Sequence, residues 1–488
     1  MFLLLAVHMS KAGEIVVSEG ESLHDALRKA REWRRTNAPQ CEGGITITIR
    51  AGRYYMNEPL FLRPEDSGTA ASPTVIRGEE GAVVCGDPRQ KHTQIWPKQG
   101  MERMIDFNTT DRTITIPQFD SLWMPPPHLE MVVHQRWAIA ILRVKQMRAN
   151  NGSIIVSFKE PESRLEFEHP WPQPVISPNP SCFLLRTTEQ RDGIEQLVIL
   201  DGANYVTFQG ITFENTCWNR PLHKGHVTLQ GGFPLIDAYK LAFPGLPWDE
   251  NLENQAWIER PVSAVTVRNA KQVNFRSCRF QHLAATALDY ESIDQGTIEA
   301  CSFEDIGGTA IMAGSFAESP REVHQPYKDL AEKCRGLNIL KNVIHDATNE
   351  DWGAVGIGVG YARDCIISHN TVSHVNYSGI CIGWGWTPHD TGMTNNHIIN
   401  NKVSNYARQL YDVGGIYTLS NQPNSSIRDN DVSAPAEAPY ATNDRAFRIY
   451  LDARTDGFTI ENNRTDVRLI RRDEIGDNHP GPNLIFKQ

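Results

Sequence analysis

Short β-branched runs in which apolar and polar positions alternate recur along this chain from about residue 205 onward. They include YVTFQGITF (205–213), AVTVRNAKQVNF (264–275) and GIYTLS (415–420). A period of two marks strands, and helical repeats are excluded. A second signal recurs with them, one asparagine or cysteine opening a short apolar triplet: CRF at Cys278, CSF at Cys301, NVI at Asn342, NTV at Asn370, NKV at Asn401, NDV at Asn430 and NRT at Asn463. Intervals of roughly 23 to 41 residues predict a solenoid with one coil per repeat, the excess looped out on one face. The register can be counted: Ile416, Ile427 and Asn430 align with Ile449, Ile460 and Asn463 at one offset of 33. Coils therefore stack residue on residue, about 4.8 Å apart, and Ile380, Ile416 and Ile449 form an inward ladder. The aligned asparagines predict a turn ladder of side-chain amides, at positions where this residue tolerates left-handed backbone. The fold class that follows is all-β, a right-handed parallel β-helix.

A solenoid has open ends. SLHDALRKAREWRR (22–35) carries an N-cap serine, apolar positions at Leu23, Ala26, Leu27, Ala30 and Trp33, and a basic end, so it predicts an amphipathic helix that caps the first coils. This N-terminal unit spans 13–85. The repeat disappears over 86–192, where VVHQRWAIAILRVKQM (132–147) and SIIVSFKEP (153–161) predict an inserted antiparallel β module. It resumes over 193–467, interrupted by a long loop at 218–259, and residues 468–488 read as a tail over the C-terminal end. The first 12 residues, an apolar run before Ser-Lys-Ala, read as a signal-peptide remnant. That implies a secreted or periplasmic protein, with a cytoplasmic start as the other reading.

The chain has 488 residues, 40% hydrophobic and 22% charged, enough for a large core. A net charge of −10 argues against nucleic acid as partner, and no run reaches the length of a membrane span. The nine cysteines are scattered singly, without zinc-site spacing. Cys278 and Cys301, at equivalent ladder positions, read as small buried hydrophobes. No metal or other cofactor is implied. Glu350 beside Asp351 offers clustered oxygens, but no calcium-binding repeat accompanies them.

A β-helix presents grooves suited to extended polymers. Aligned on the isoleucine ladder, Asp351, Asn376, Asp412 and Arg445 fall near one lateral position on consecutive coils. Two carboxylates flanking a glycosidic bond are what its hydrolysis requires, one to donate a proton and one to attack or activate water. Arg445 beside Asp412 is expected to hold it ionised. Its partner is Asp452, in RIYLDAR, or Asp351, two coils away. On a straight strand Asp412 and Asp452 lie too far apart, so the pairing requires a bend at Gly414 and Gly415. Trp384 and Trp386, one glycine apart, are candidate sugar platforms, or tryptophans packed under a loop. His374, Tyr411, Tyr417 and Tyr450 are candidate sugar contacts.

In these residues the chain resembles the secreted bacterial β-helix enzymes of glycoside hydrolase family 141 and, more distantly, the β-xylosidases of family 120. The resemblance rests on the opening helix with ITITIRAGRYYMNEPLFL and on NYSGICIGWGW, ARQLYDVGGIYTLSNQ and RIYLDARTDGFTIENN. It implies hydrolysis of plant-type polysaccharides, fucosidase-like or xylan-acting, and its catalytic aspartates correspond to Asp412 and Asp452. Ala453 and Arg454 depart from the acidic residue and glycine usual after the second aspartate. Two other classes fit the fold: a polysaccharide lyase, with Arg445 or Arg448 as base, and a non-catalytic carbohydrate-binding protein.

Overall fold

The chain is seen here as a computed structural model describing residues 12–86, 91–98, 100–119, 124–168, 182–189, 193–237, 257–318, 321–322, 329–438 and 445–487. All of the leader reading except Ala12, and the middle of the 218–259 loop, fall outside these residues. The alternating runs form strands that pair in parallel from coil to coil along three faces. On the first face Ile311, Ile357, Ile380, Ile416, Ile449 and Ile475 are successive Cα partners. On the second the series is Ile339, Ile367, Ile398, Ile427, Ile460 and Phe486. The third stacks Phe213, Phe280, Phe303, Ile344, Val372, Val403 and Val432. Apart from the terminal Phe486, which is exposed, the three ladders point inward and build one elongated core. The offset of 33 counted in the sequence is the pairing register of strands Val413–Thr418 and Ala446–Leu451.

Asparagines fill the turn between the second and third faces. Each amide Nδ2 donates to Oδ1 of the next coil's asparagine: Asn342 to Asn370 at 2.9 Å, Asn370 to Asn401 at 2.9 Å, Asn401 to Asn430 at 3.0 Å and Asn430 to Asn463 at 2.9 Å. The same nitrogens cap carbonyls of the preceding coil. The backbone reason differs from the one expected. The residue before each asparagine, Lys341, His369, Asn400, Asp429 or Asn462, takes the left-handed conformation, at φ between 53° and 58°. The asparagine itself is there for its amide, which has both donor and acceptor to give. Cys278 and Cys301 occupy the corresponding turn upstream, buried, and all nine cysteines are free thiols.

Helix Leu23–Arg35 forms with Ser22 as N-cap, its hydroxyl accepting from Asp25 N at 3.2 Å, and packs its buried leucines and alanines on the first strands. Residues 468–488 do more than lie over the far end. Strands Ile475–Asp477 and Ile485–Lys487 add further parallel partners to two faces. The module inserted after the first coils is an antiparallel sheet built on strands Leu129–His134, Ile139–Asn150, Ser153–Phe158 and Cys182–Thr188. Its core merges with coil residues Met312, Phe316, Tyr361 and Trp384, which docks it firmly beside the first face. No helix among the described residues is long and apolar enough to cross a membrane.

Candidate active site

Where the module meets the coils, strands Val413–Thr418 and Ala446–Leu451 run side by side, with Tyr417 paired to Tyr450. Asp412 sits just before the first strand in left-handed backbone, φ 64°, and Asp452 follows the second. Tyr450 donates its hydroxyl to Asp412 Oδ1 at 3.0 Å, and Tyr417 donates to Asp452 Oδ2. The two rings meet edge to face at 5.4 Å between centroids. Carboxyls at opposite ends of adjacent strands are thus joined through a tyrosine pair. The bend expected at Gly414 and Gly415 is there: a Cβ on Gly414 would lie 2.6 Å from the carbonyl oxygen of Ile416, two residues on, far closer than an extended strand allows, while the offset of 33 is kept on either side of it. Those glycines serve close packing: a Cβ on Gly414 would lie 2.9 Å from the Tyr450 Cβ, and one on Gly415 2.4 Å from a Val432 methyl.

Both carboxyls have further partners that sequence patterns do not reveal. Arg136, on the module turn between Leu129–His134 and Ile139–Asn150, brings Nε to 3.3 Å from Asp412 Oδ2, inside the 3.9 Å of Arg445 Nη1. The turn is fixed on the coil, since His134 Nε2 meets Gln409 O at 2.8 Å and Tyr411 N donates to Arg136 O at 3.3 Å. Asn478, in the tail, donates Nδ2 to Asp452 Oδ1 at 2.7 Å, and Tyr377 donates to Asp412 O at 2.9 Å. Asp452, 9% exposed, accepts at both oxygens.

Asp412 departs from the expectation that Arg445 keeps it ionised. Burial pushes its carboxyl up to about 6; Arg136, Arg445 and the Tyr450 hydroxyl oppose this rise, and Asp452 adds to it. Desolvation wins because the arginines act from one side, through partly solvated guanidinium groups. The result is a carboxyl that can hold a proton near neutrality.

The other predicted residues divide. Asn376 shares the register of Asp412 and Arg445, but its buried amide donates to Thr348 O at 2.8 Å and bridges coils instead of facing the cleft. Asp351 is not beside Asp412. It lines a separate cavity of about 240 Å³, with Oδ2 2.9 Å from His226 Nε2. Glu350 turns the other way, to His92 at 3.0 Å and Arg186 at 3.3 Å, so the two carboxylates do not converge on one ligand. His374 stands on the third face, its ring centroid 4.4 Å from that of His345, away from the carboxyl pair. Trp384, 4% exposed, is packed by Phe233 and Phe316, so it fills the junction of module and coil and offers no stacking face. Trp386, half-buried and edge-on to Trp384 at 4.9 Å, packs against the cluster of Tyr417, Leu419 and Tyr450. Tyr411 is buried under the Arg136 guanidinium, 5.8 Å from its ring centroid. Arg448 approaches Glu474 at 3.8 Å.

Known proteins are similar to this chain at several scales. The profile of the GH141 insertion domain matches residues 89–191, and that of a right-handed β-helix region matches 331–467. A solved structure described as a glycoside hydrolase superposes with a TM-score of 0.88 at 31% identity, covering 97% of this chain and 96% of its own. Two others are the xylose complex of XylC, at 11% identity, TM-score 0.41 and coverage of 92% and 70%, and PfbA, a surface adhesin of Streptococcus pneumoniae, at 11%, 0.33, 98% and 91%. No curated protein sequence matches. With the GH141 insertion in place and a glycoside hydrolase matched over nearly its whole length, this chain belongs to the β-helix glycoside hydrolases of the family 141 type.

Proposed function

We propose that the protein hydrolyses glycosidic bonds of a plant-type or other complex polysaccharide, fucosidase-like or xylan-acting, using Asp412 and Asp452. The observation that carries this reading is the tyrosine-linked carboxyl pair, whose members have different surroundings. Asp412, desolvated and pushed up to about 6, is suited to protonate the leaving oxygen. Asp452, with both oxygens accepting, is suited to attack the anomeric carbon or to activate water. Two carboxyls in unlike environments are the division of labour that glycoside hydrolysis needs. Arg445 and Trp386 border the pair and are the contacts we assign to sugar. Action on such a polymer accords with an exported protein.

A lyase mechanism is less well supported. Arg445, although burial lowers it, is raised on balance by Asp412 and Tyr450, which disfavours it as a base. The test compares wild type with Asp412→Asn on aryl xylosides, aryl fucosides and plant polysaccharides, reading reducing sugar and ultraviolet absorbance together. Reducing sugar without absorbance, lost in the variant, is the expected result. An absorbing unsaturated product identifies a lyase, and glycan binding without turnover a carbohydrate-binding protein; either rejects the proposal.

A further inference from the structure

The excursion that leaves the coil at residue 218 returns over the carboxyl pair as a tight hairpin. Thr228 bridges Pro234, Leu229 N donates to Phe233 O at 3.0 Å, and Phe233 N donates to Gln230 O at 3.1 Å. The hairpin is held at its base by the 2.9 Å contact of His226 with Asp351 and at its side by Trp137 Nε1 donating to Leu229 O at 3.2 Å. Gly232, φ 80°, lets the tip descend, for a Cβ there would stand 2.8 Å from Asp351 Oδ2. The side chain so delivered is Gln230, whose Nε2 lies 3.2 Å from the Tyr417 hydroxyl.

Tyr417 has one hydroxyl proton, and it is committed to Asp452. What faces its oxygen from the other side must therefore donate, so Gln230 presents its amide nitrogen. We infer that Gln230 is a positioning residue: through Tyr417 it fixes and strengthens the hydrogen bond received by Asp452, a role that rests on the reading of Asp452 as a reacting carboxyl. Chained hydrogen bonds polarise one another, so a donor to the tyrosine oxygen makes its proton a better donor in turn. Glutamine does this without charge and leaves the electrostatics of the pair untouched. The titratable and charged groups around Asp452 are Asp412, Arg445, Tyr377, Tyr417 and Tyr450, and Asn478 donates from the tail.

The test uses the full chain with Gln230→Leu and Gln230→Glu. Glutamate has the shape of glutamine, yet its carboxylate has no proton to give and competes for that of Tyr417. With the aryl glycoside found above, Gln230→Leu lowers kcat about two- to tenfold, Gln230→Glu lowers it further, and KM changes less than kcat. A wild-type kcat in Gln230→Glu would reduce Gln230 to a space-filling residue and overturn the inference. Proton NMR separates this from failure of the hydrolase reading. The Tyr417 hydroxyl resonance, assigned by its loss in Tyr417→Phe, moves upfield in Gln230→Leu whether or not any sugar is cleaved; an unmoved resonance also overturns the inference.

Discussion

The Tyr450 hydroxyl lies 3.0 Å from Oδ1 of Asp412, and this contact turns two distant carboxyls into a pair. Tyr417, one coil before Tyr450, makes the reciprocal reach to Asp452. Each tyrosine thus holds the aspartate that follows or precedes its neighbour's strand, and the rings support each other edge to face. Neither carboxyl can shift without moving a ring.

If Asp412 is the proton donor, turnover falls as pH rises through about 6. Arg136 favours the ionised form, so Arg136→Ala raises the Asp412 pKa further, and the basic limb of kcat/KM moves to higher pH. Arg136→Lys moves it less. A pH–rate profile of the three proteins checks both, and a limb unmoved in Arg136→Ala assigns it to another group.

The same shift makes a statement about stability. Asp412 is raised from 3.8 to about 6 in the folded state, so its contribution is fully present below pH 3.8 and is lost as pH rises through 6. Asp412→Asn, which cannot ionise, should be more stable than wild type at pH 7.5, by on the order of 3 kcal/mol for two units at about 1.4 kcal/mol each. The gain should vanish near pH 3.5. Urea titrations at the two pH values measure it.

Adjacent glycines separate folding from chemistry. Gly415→Ala drives a methyl into Val432 and Tyr406, inside the coil, and should cost about 1–3 kcal/mol with modest loss of rate in the protein that remains folded. Gly414→Ala meets the Ile416 carbonyl oxygen and the Cβ of Tyr450, the residue that holds Asp412; it should cost comparable stability and, in the protein that remains folded, reduce kcat more than Gly415→Ala does. Melting curves and kcat for the two variants make the comparison.

The asparagine ladder is predicted to be strongest in its interior. The Asn401 side chain makes four bonds, accepting from Asn370 N and Nδ2 and donating to Ile367 O and Asn430 Oδ1; Asn401→Ala removes them, at roughly 1–3 kcal/mol for each buried group left unpaired. Asn463, at the last rung, makes three, accepting from Asn430 N and Nδ2 and donating to Ile427 O, so Asn463→Ala should cost less. Chemical denaturation of both variants, with equal costs as the contrary outcome, checks the gradient.

The coil was legible because its physics is local and periodic. A stacked ladder requires like residues at like positions, and Ile416 with Ile449 can be found by counting. The site was only partly legible, because it joins parts that share no period. Asp412 and Arg445 lie in register and do meet, while Asn376, equally in register, spends its amide on Thr348. Register gives position along the coil, not the direction of a side chain. Trp384 read equally as a sugar platform and as a packed tryptophan, because nothing local announces that the module will cover it. Arg136, Gln230 and Asn478 come from the insertion, the loop and the tail, where no repeat exists to align them. HQRW, a polar turn between two apolar runs, was the only hint for Arg136.

Arg136 and Asp412 are 276 positions apart (412 − 136), and the turn that carries Arg136 is tied to the coil by His134 and Gln409, 275 apart. Coils nucleate on neighbours, but this closure spans more than half the chain, and such loops form late. The constellation is therefore expected late in folding. During refolding, strand signal should return well before catalysis does, and an intermediate with a complete solenoid and an undocked module should be inert. Activity in this protein reads out global assembly, and damage far from either aspartate silences it by the same route.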